Sequence, residues 1–313
     1  MSNKLFCFLL SFLTGISLCH AEILEQLSKS KDDSPVIIDA ENSIVCDETA
    51  QKCVATGSAK AQKGTNTVYG DVLTVYFTEG KDREITSLTA DGHVRMESPT
   101  ETAYGEHAIY DVVLDRVLMT GGNLKIVTPK ETLTARDSIE YWHSEHKGIA
   151  RGNAIATFPE KKEVIQADTL IAHFKPSKEK TEDGKEKSAL ERVEAKGNTL
   201  VSGPKGIVTG KRGNYSAKTD IVEVFENVKV TQGGNVIQGE HGIYNLRTDI
   251  AEIYPNLPGA PQTGPKNRIS GIIYSKDVKR MKEDSKSGEE SSDVHEGGQV
   301  FPTSANKNYA PSS

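Results

Sequence analysis

Tryptophan occurs once in these 313 residues, methionine four times, cysteine four times, and aromatic residues make up only 6% of the chain. So few cysteines exclude a disulfide-dense mini-protein and leave no paired Cys spacing for a zinc knuckle. Positive charge is not in excess either: the formal charge is −6, which argues against nucleic acid as a partner. Long apolar runs are missing, and the longest, residues 5–18 (LFCFLLSFLTGISL), falls short of the roughly 20 residues that cross a bilayer.

That run follows Lys4 and precedes Cys19-His20-Ala21. A charged start, a short apolar stretch and a small residue are the marks of a secretory signal peptide, here residues 1–21, removed after Ala21. Leu18 is too bulky before Cys19 to favour a lipoprotein. Export to the periplasm is expected, and losing Lys4 takes the charge from −6 to −7. Of the cysteines only Cys46 and Cys53 then remain, flanking a short turn (CDETAQKC). In an oxidising compartment such a pair is expected to form a disulfide, the alternative being two free thiols.

Glycine phrases recur: ATGSAKAQ at Gly57, ADGHVRME at Gly92, TGGNLKIV at Gly122, ARGNAIAT at Gly152 and AKGNTLVS at Gly197. A degenerate copy, VFENVKVT, has Glu226 in the glycine position. A second phrase alternates with the first: an apolar residue, any residue, Gly or Ala, then a polar residue. It occurs at Ala40, Gly70, Gly105, Ala135, Ala167, Gly210 and Gly239. Both series step by about 30 residues, the signature of a repeat architecture. Both lengthen at the same unit, around residues 175–192, where 11 of 18 residues are charged. A solvated loop inserted between repeats is expected there.

The units are rich in Val, Ile, Thr and Tyr between Gly, Asn, Asp and Pro, so they are strands. No window of helical length carries a sustained 3.6-residue stripe, apart from a short possibility at residues 23–28. Segments such as EVFENVKVTQ alternate apolar with polar, which buries one face. In the second phrase the residue two before the small one is apolar, and so is the residue five after: Val45, Val75, Tyr110, Ala172, Tyr215, Tyr244, with Glu140 as the exception. A change of parity after a small residue predicts a bulge or corner in each strand. The even column (Ile44, Ile109, Ile139, Ile243) is the competing assignment. Stacked units of two strands each would give about seven strands in each of two sheets, ending in unpaired edges near residues 36–45 and 268–274. Residues 276–313 have almost no apolar content and are expected to form a disordered tail.

Catalytic patterns are absent. In GPKGIVTGKRG the phosphate-loop register fails at Lys205 and Arg212. The pair in WHSEH is three apart, whereas a zinc-protease pair is four apart on a helix. A polar turn with a half-exposed Trp142 is expected, with His93, His107, His173 and His241 on strand surfaces. The acids after each small residue (Glu41, Asp71, Glu106, Asp168, Glu240) recur once per unit and belong to the scaffold. No enzyme activity and no cofactor is expected.

The two phrases in register behind a leader resemble the OstA-like family, most of all in VTQGGNVIQGEHGIYNLRTDIAEI, residues 230–253. The resemblance covers residues 36–275, within a body of 22–275. It implies an all-β fold: an elongated β-jellyroll of stacked 30-residue repeats, as one continuous roll or two units, with open edges at both ends. It further implies a carrier of lipopolysaccharide, self-associating head to tail. Its partners would be an inner-membrane anchor protein of the same fold and an outer-membrane translocon. An acidic chain cannot attract an anionic glycolipid by net charge, so binding would rest on burying acyl chains, at about 0.8 kcal/mol per methylene. The inward columns name the expected lining: Ile38, Val68, Val75, Tyr110, Ile165, Leu170, Phe174, Tyr215 and Tyr244. Two other readings stay open, an inner-membrane-anchored member of the same pathway and a structural β-solenoid with a dry core.

Overall fold

The computed structural model describes residues 36–80, 83–180, 186–204, 206–245, 248, 250–259 and 268–274. The leader, the short helical possibility at 23–28 and the tail at 276–313 lie outside them. The chain divides into Met1–Ile272, which holds every described strand, and Ile273–Ser313.

The described structure is all-β, an 18-stranded antiparallel sheet. In chain order the strands are β1 (Ile37–Asp39), β2 (Ser43–Asp47), β3 (Lys52–Lys63), β4 (Asn66–Phe77), β5 (Ile85–Glu97) and β6 (Thr102–Asp111). Next come β7 (Arg116–Thr120), β8 (Lys125–Val127), β9 (Thr132–Thr134), β10 (Ser138–Trp142), β11 (Lys147–Phe158) and β12 (Glu163–Lys180). The last are β13 (Glu186–Gly203), β14 (Gly206–Ser216), β15 (Ile221–Gln232), β16 (Asn235–Asn245), β17 (Ile250–Tyr254) and β18 (Ser270–Ile272).

Short strands share rows. β1 and β2 both pair with β3, β7 and β8 with β6, and β17 and β18 with β16. β9 pairs with β8 and β10 with β7, and both pair with β11. Eighteen strands thus make fourteen rows, each hydrogen-bonded to the row before and the row after. This corrects the expectation of seven strands per sheet: every long strand turns a corner and gives one half to each of two facing layers.

The corner is where the two sequence phrases meet. Register slips between Thr56 and Ala59, Asp91 and Val94, Arg151 and Ala154, Lys196 and Thr199, and Phe225 and Val228. At each slip two successive residues have positive φ: Gly57 and Ser58, Gly92 and His93, Gly152 and Asn153, Gly197 and Asn198, Glu226 and Asn227. Two residues facing one is a β-bulge, which bends the strand; the bulged strand keeps its inward parity, as Ala55, Ala59 and Ala61 show on β3, and the strand facing the bulge reverses it. Inward residues accordingly run Val68, Gly70, then Leu73 on β4, and Ile165, Ala167, then Leu170 and Ala172 on β12.

The acid of the second phrase lies over the glycine of the first. A Cβ on Gly92 would come 2.2 Å from Asp71 Oδ2, and one on Gly197 2.1 Å from Asp168 Oδ2. Those carboxylates meet the second bulge residue: Asp71 Oδ2 is 2.8 Å from His93 Nδ1, and Asn198 Nδ2 donates to Asp168 at 2.9 and 3.1 Å. The degenerate copy reverses the signs. Glu226 replaces glycine at φ 64°, the facing residue is Lys211, and Lys211 Nζ and Arg212 Nε donate to Glu226 at 3.4 and 3.0 Å. Gly92→Ala should therefore destabilise the fold by about 1–3 kcal/mol, since it combines left-handed strain with displacement of Asp71. Thermal melts of Gly92→Ala, Asp71→Ala and the double variant check this, and the double variant should recover part of the loss.

Where the segment at 175–192 is described, it is strand and not loop. β12 and β13 continue through it as paired strands, with Phe174 opposite Leu190, Lys175 opposite Ala189 and Lys180 opposite Glu186. High charge predicts contact with water, and a strand pair can meet water along its length while its backbone stays paired. Near the start of the chain Cys46 and Cys53 face each other across β2 and β3 and are joined, S–S 2.04 Å.

Candidate functional site

Alternation places an apolar column on the inner face of each layer, and the columns merge into one continuous cluster. Val68, Tyr110, Ile165, Leu170, Phe174, Tyr215 and Tyr244 are buried in it, and Ile38 and Val75 are half-buried against it. Val45 and Ile44, by contrast, are exposed, Val45 with 59% of its surface in contact with solvent. They lie on β2, in the first row, where no facing row covers them and the inward pattern of the later repeats has nothing to close against.

The interior is uneven along the rows. From β3 to β8 it is filled: Leu73, Val94, Tyr110, Met119, Leu124 and Ile126 are all but sealed from solvent. From β9 onward two apolar clefts open. The first holds about 580 Å³ free of protein atoms, mouth included, and is lined by Leu133, Ile139, Phe158, Ile165, Leu170, Phe174 and Val193 among others. The second holds about 560 Å³ and is lined by Val201, Val208, Val222, Val224, Val228, Val230, Tyr244 and Ile253 among others. Of the nine residues expected from sequence, Ile165, Leu170 and Phe174 line the first cleft and Tyr244 the second. Tyr215 lies on the row between the two clefts, Val68, Val75 and Tyr110 belong to the closed part, and Ile38 lies half-buried on the first row.

The valines of β15 are not among the residues expected as lining, although EVFENVKVTQ shows their alternation. The two acids at the cleft walls turn away from the interior: Glu140 accepts from Arg151 Nε at 3.0 Å and from Trp142 Nε1 at 3.1 Å, and Glu252 accepts from the Tyr254 hydroxyl. The surface offered to a ligand is hydrocarbon. Trp142 is half-buried, with Arg116 over its ring at 5.1 Å and Lys147 at 5.8 Å.

Two histidines depart from expectation. His143 is buried, edge-on to Tyr141 with ring centroids 4.7 Å apart. His241 is buried between Phe225 at 4.8 Å and Tyr254 at 5.6 Å, and that burial lowers its pKa. An imidazole is flat enough to stack inside an aromatic group, so isolated placement in sequence did not imply a wet strand face.

Hairpin ends carry buried acids. In SPTE and TPKE turns, Ser98 Oγ accepts from the backbone of Thr100 and Glu101, and Thr128 Oγ1 from Lys130 and Glu131. Burial raises the Glu131 carboxyl to about 7, against an opposing pull from Lys161, and raises Glu163 in the same direction. Among the described residues no group of three or more His, Cys, Asp or Glu is placed to hold a metal ion, and no helix is long and apolar enough to cross a membrane.

The first and last rows expose apolar side chains. β1 and β2 pair only with β3, and β17 and β18 only with β16, among the described residues. Ile37, Ile44 and Val45 are exposed on the first row, and Ile250, Tyr254 and Ile272 on the last. Unpaired strands with apolar side chains can accept a further strand.

The chain resembles the solved structure of LptH from Pseudomonas aeruginosa, described as the LptA-homologous periplasmic component of the conserved lipopolysaccharide transport device. Identity is 14% over 78% of this chain and 97% of that one, with a TM-score of 0.21, too low for the superposition to add weight. No curated protein matches the chain significantly. A family model described as LptA/(LptD N-terminal domain) LPS transport protein matches twice, over residues 38–147 and 137–250, more than half of the chain. The chain therefore belongs to the LptA and LptD N-terminal domain family of lipopolysaccharide transport proteins.

Proposed function

We propose that this protein is a non-enzymatic carrier in the periplasm that shelters the acyl chains of lipopolysaccharide between its two layers and passes the glycolipid from inner to outer membrane. The observation that carries this is the pair of open clefts walled almost wholly by apolar side chains in a family of lipopolysaccharide transport proteins. Sugars and phosphates would stay in water, consistent with a chain whose formal charge is negative. Residues 1–21 act as the export signal, 22–275 as the carrier body and 276–313 as a tail. The exposed first and last rows support docking by strand addition to an inner-membrane anchor of the same fold, to an outer-membrane translocon, and to further copies of the chain.

Photo-crosslinking tests the lipid role. A photoreactive aromatic residue replacing Phe174 or Tyr244 should label lipopolysaccharide in cells, whereas the same residue replacing outward Tyr104 should not. Equal labelling from all three positions, or none from the two cleft positions, would overturn the assignment. The expected contrast is tenfold or more, on the order of 1.4 kcal/mol in local occupancy.

A further inference from the structure

We propose that the interior holds hydrocarbon in two separate compartments divided by Tyr215, each taking one hydrocarbon chain. This deepens the carrier function and rests on it. The two clefts lie on either side of one row. Val193 on β13 lines the first cleft and Val222 on β15 lines the second. Tyr215 on β14 is the cross-strand partner of both, is buried, and borders neither cleft.

In the opposite layer the changeover comes between Ile165, in the first cleft, and its partner Val201, in the second. The clefts therefore abut, and on this row the inward residue after the corner is aromatic where the flanking rows present valine. Gly213, the other inward position of that half-strand, leaves the ring no side-chain neighbour on its own strand. The ring is also tethered, its hydroxyl reaching Asp220 Oδ1 at 3.4 Å in the following turn. A buried, tethered ring standing between the two apolar clefts would close them to a continuous chain while leaving both sides greasy. Neither cleft offers an inward charge, so the occupant of each is a plain alkyl chain and not a polar headgroup.

The test is a titration of the full chain with a polyene fatty acid whose fluorescence rises in apolar surroundings, alongside retention of purified lipopolysaccharide. The native chain should bind two fatty acids. Ala172→Phe, which fills the first cleft, and Val230→Phe, which fills the second, should each bind one. Tyr215→Ala should open the partition and leave one longer site that binds a single probe. One fatty acid on the native chain, loss of both from a single filled variant, or two on Tyr215→Ala would overturn the partition while leaving the carrier function standing. Lipopolysaccharide and fatty acid both failing to bind the native chain would overturn the carrier function itself. If the filled variants do not fold by circular dichroism, the native stoichiometry and Tyr215→Ala still decide the matter.

Discussion

Tyr110→Ala should cost about 3–5 kcal/mol of stability, the largest single effect expected among the inward residues. Only 1% of Tyr110 is exposed, and it is the largest side chain so deeply buried. In the rows on either side its direct partners are Leu88 and Val117, both buried. Its ring also meets His143, centroids 6.1 Å apart. Truncation removes the transfer free energy of a whole ring and leaves a void that strands locked in register cannot collapse to fill. Denaturant melts should show the midpoint falling with little change of slope, and the thermal midpoint dropping by roughly 10 °C. Tyr104, on the same strand but facing out, provides the contrast: Tyr104→Ala should stay within about 0.5 kcal/mol of the native chain. A loss under about 1 kcal/mol at Tyr110 would mean that the first half of the interior is not closed.

Glu131→Gln should stabilise the protein, and by an amount that grows with pH. The carboxyl is buried at a hairpin end and titrates near 7 in the fold, against an ordinary value of 4.5. Below 4.5 the folded and unfolded chains both hold the proton and burial costs nothing in charge. Between 4.5 and about 7 the unfolded chain has released its proton while the folded one keeps it, so stability falls as pH rises through that window. Above about 7 the full penalty applies, on the order of 3 kcal/mol. Glutamine keeps the shape and cannot ionise. The melting points of the two proteins should therefore coincide near pH 4 and separate by several degrees at pH 8. A separation that does not change with pH would sink the idea.

Much of this was written in the sequence because a corner leaves a periodic mark. A backbone that must take positive φ twice in succession selects Gly and then Asn, Ser or His, and on the strand facing it the parity of apolar residues reverses after the small residue. From those two marks Val68, Ile165, Leu170 and Tyr244 could be placed inward without coordinates. What could not be read depends on the facing row. Val45 matches the apolar column of its repeat but has no layer above it. The difference between the closed half and the cleft-bearing half comes from which sizes meet across the gap, Tyr110 and Met119 in one and valines in the other, and a single row does not reveal its partner. The charged run at 175–192 misled for a related reason: composition reports contact with water, not whether the backbone is paired.

Fourteen rows in which each touches only the next make extent a quantity that duplication can tune. Copying one hairpin adds two rungs, about 10 Å, and disturbs no existing contact except at the seam. The two family matches overlap at 137–147, across β10, and hydrogen bonding runs through that stretch from β7 to β11. The β12–β13 hairpin shows growth in the other direction, since rungs can also widen without shifting their neighbours. Lengthening the body on this plan takes further repeats and no redesigned core.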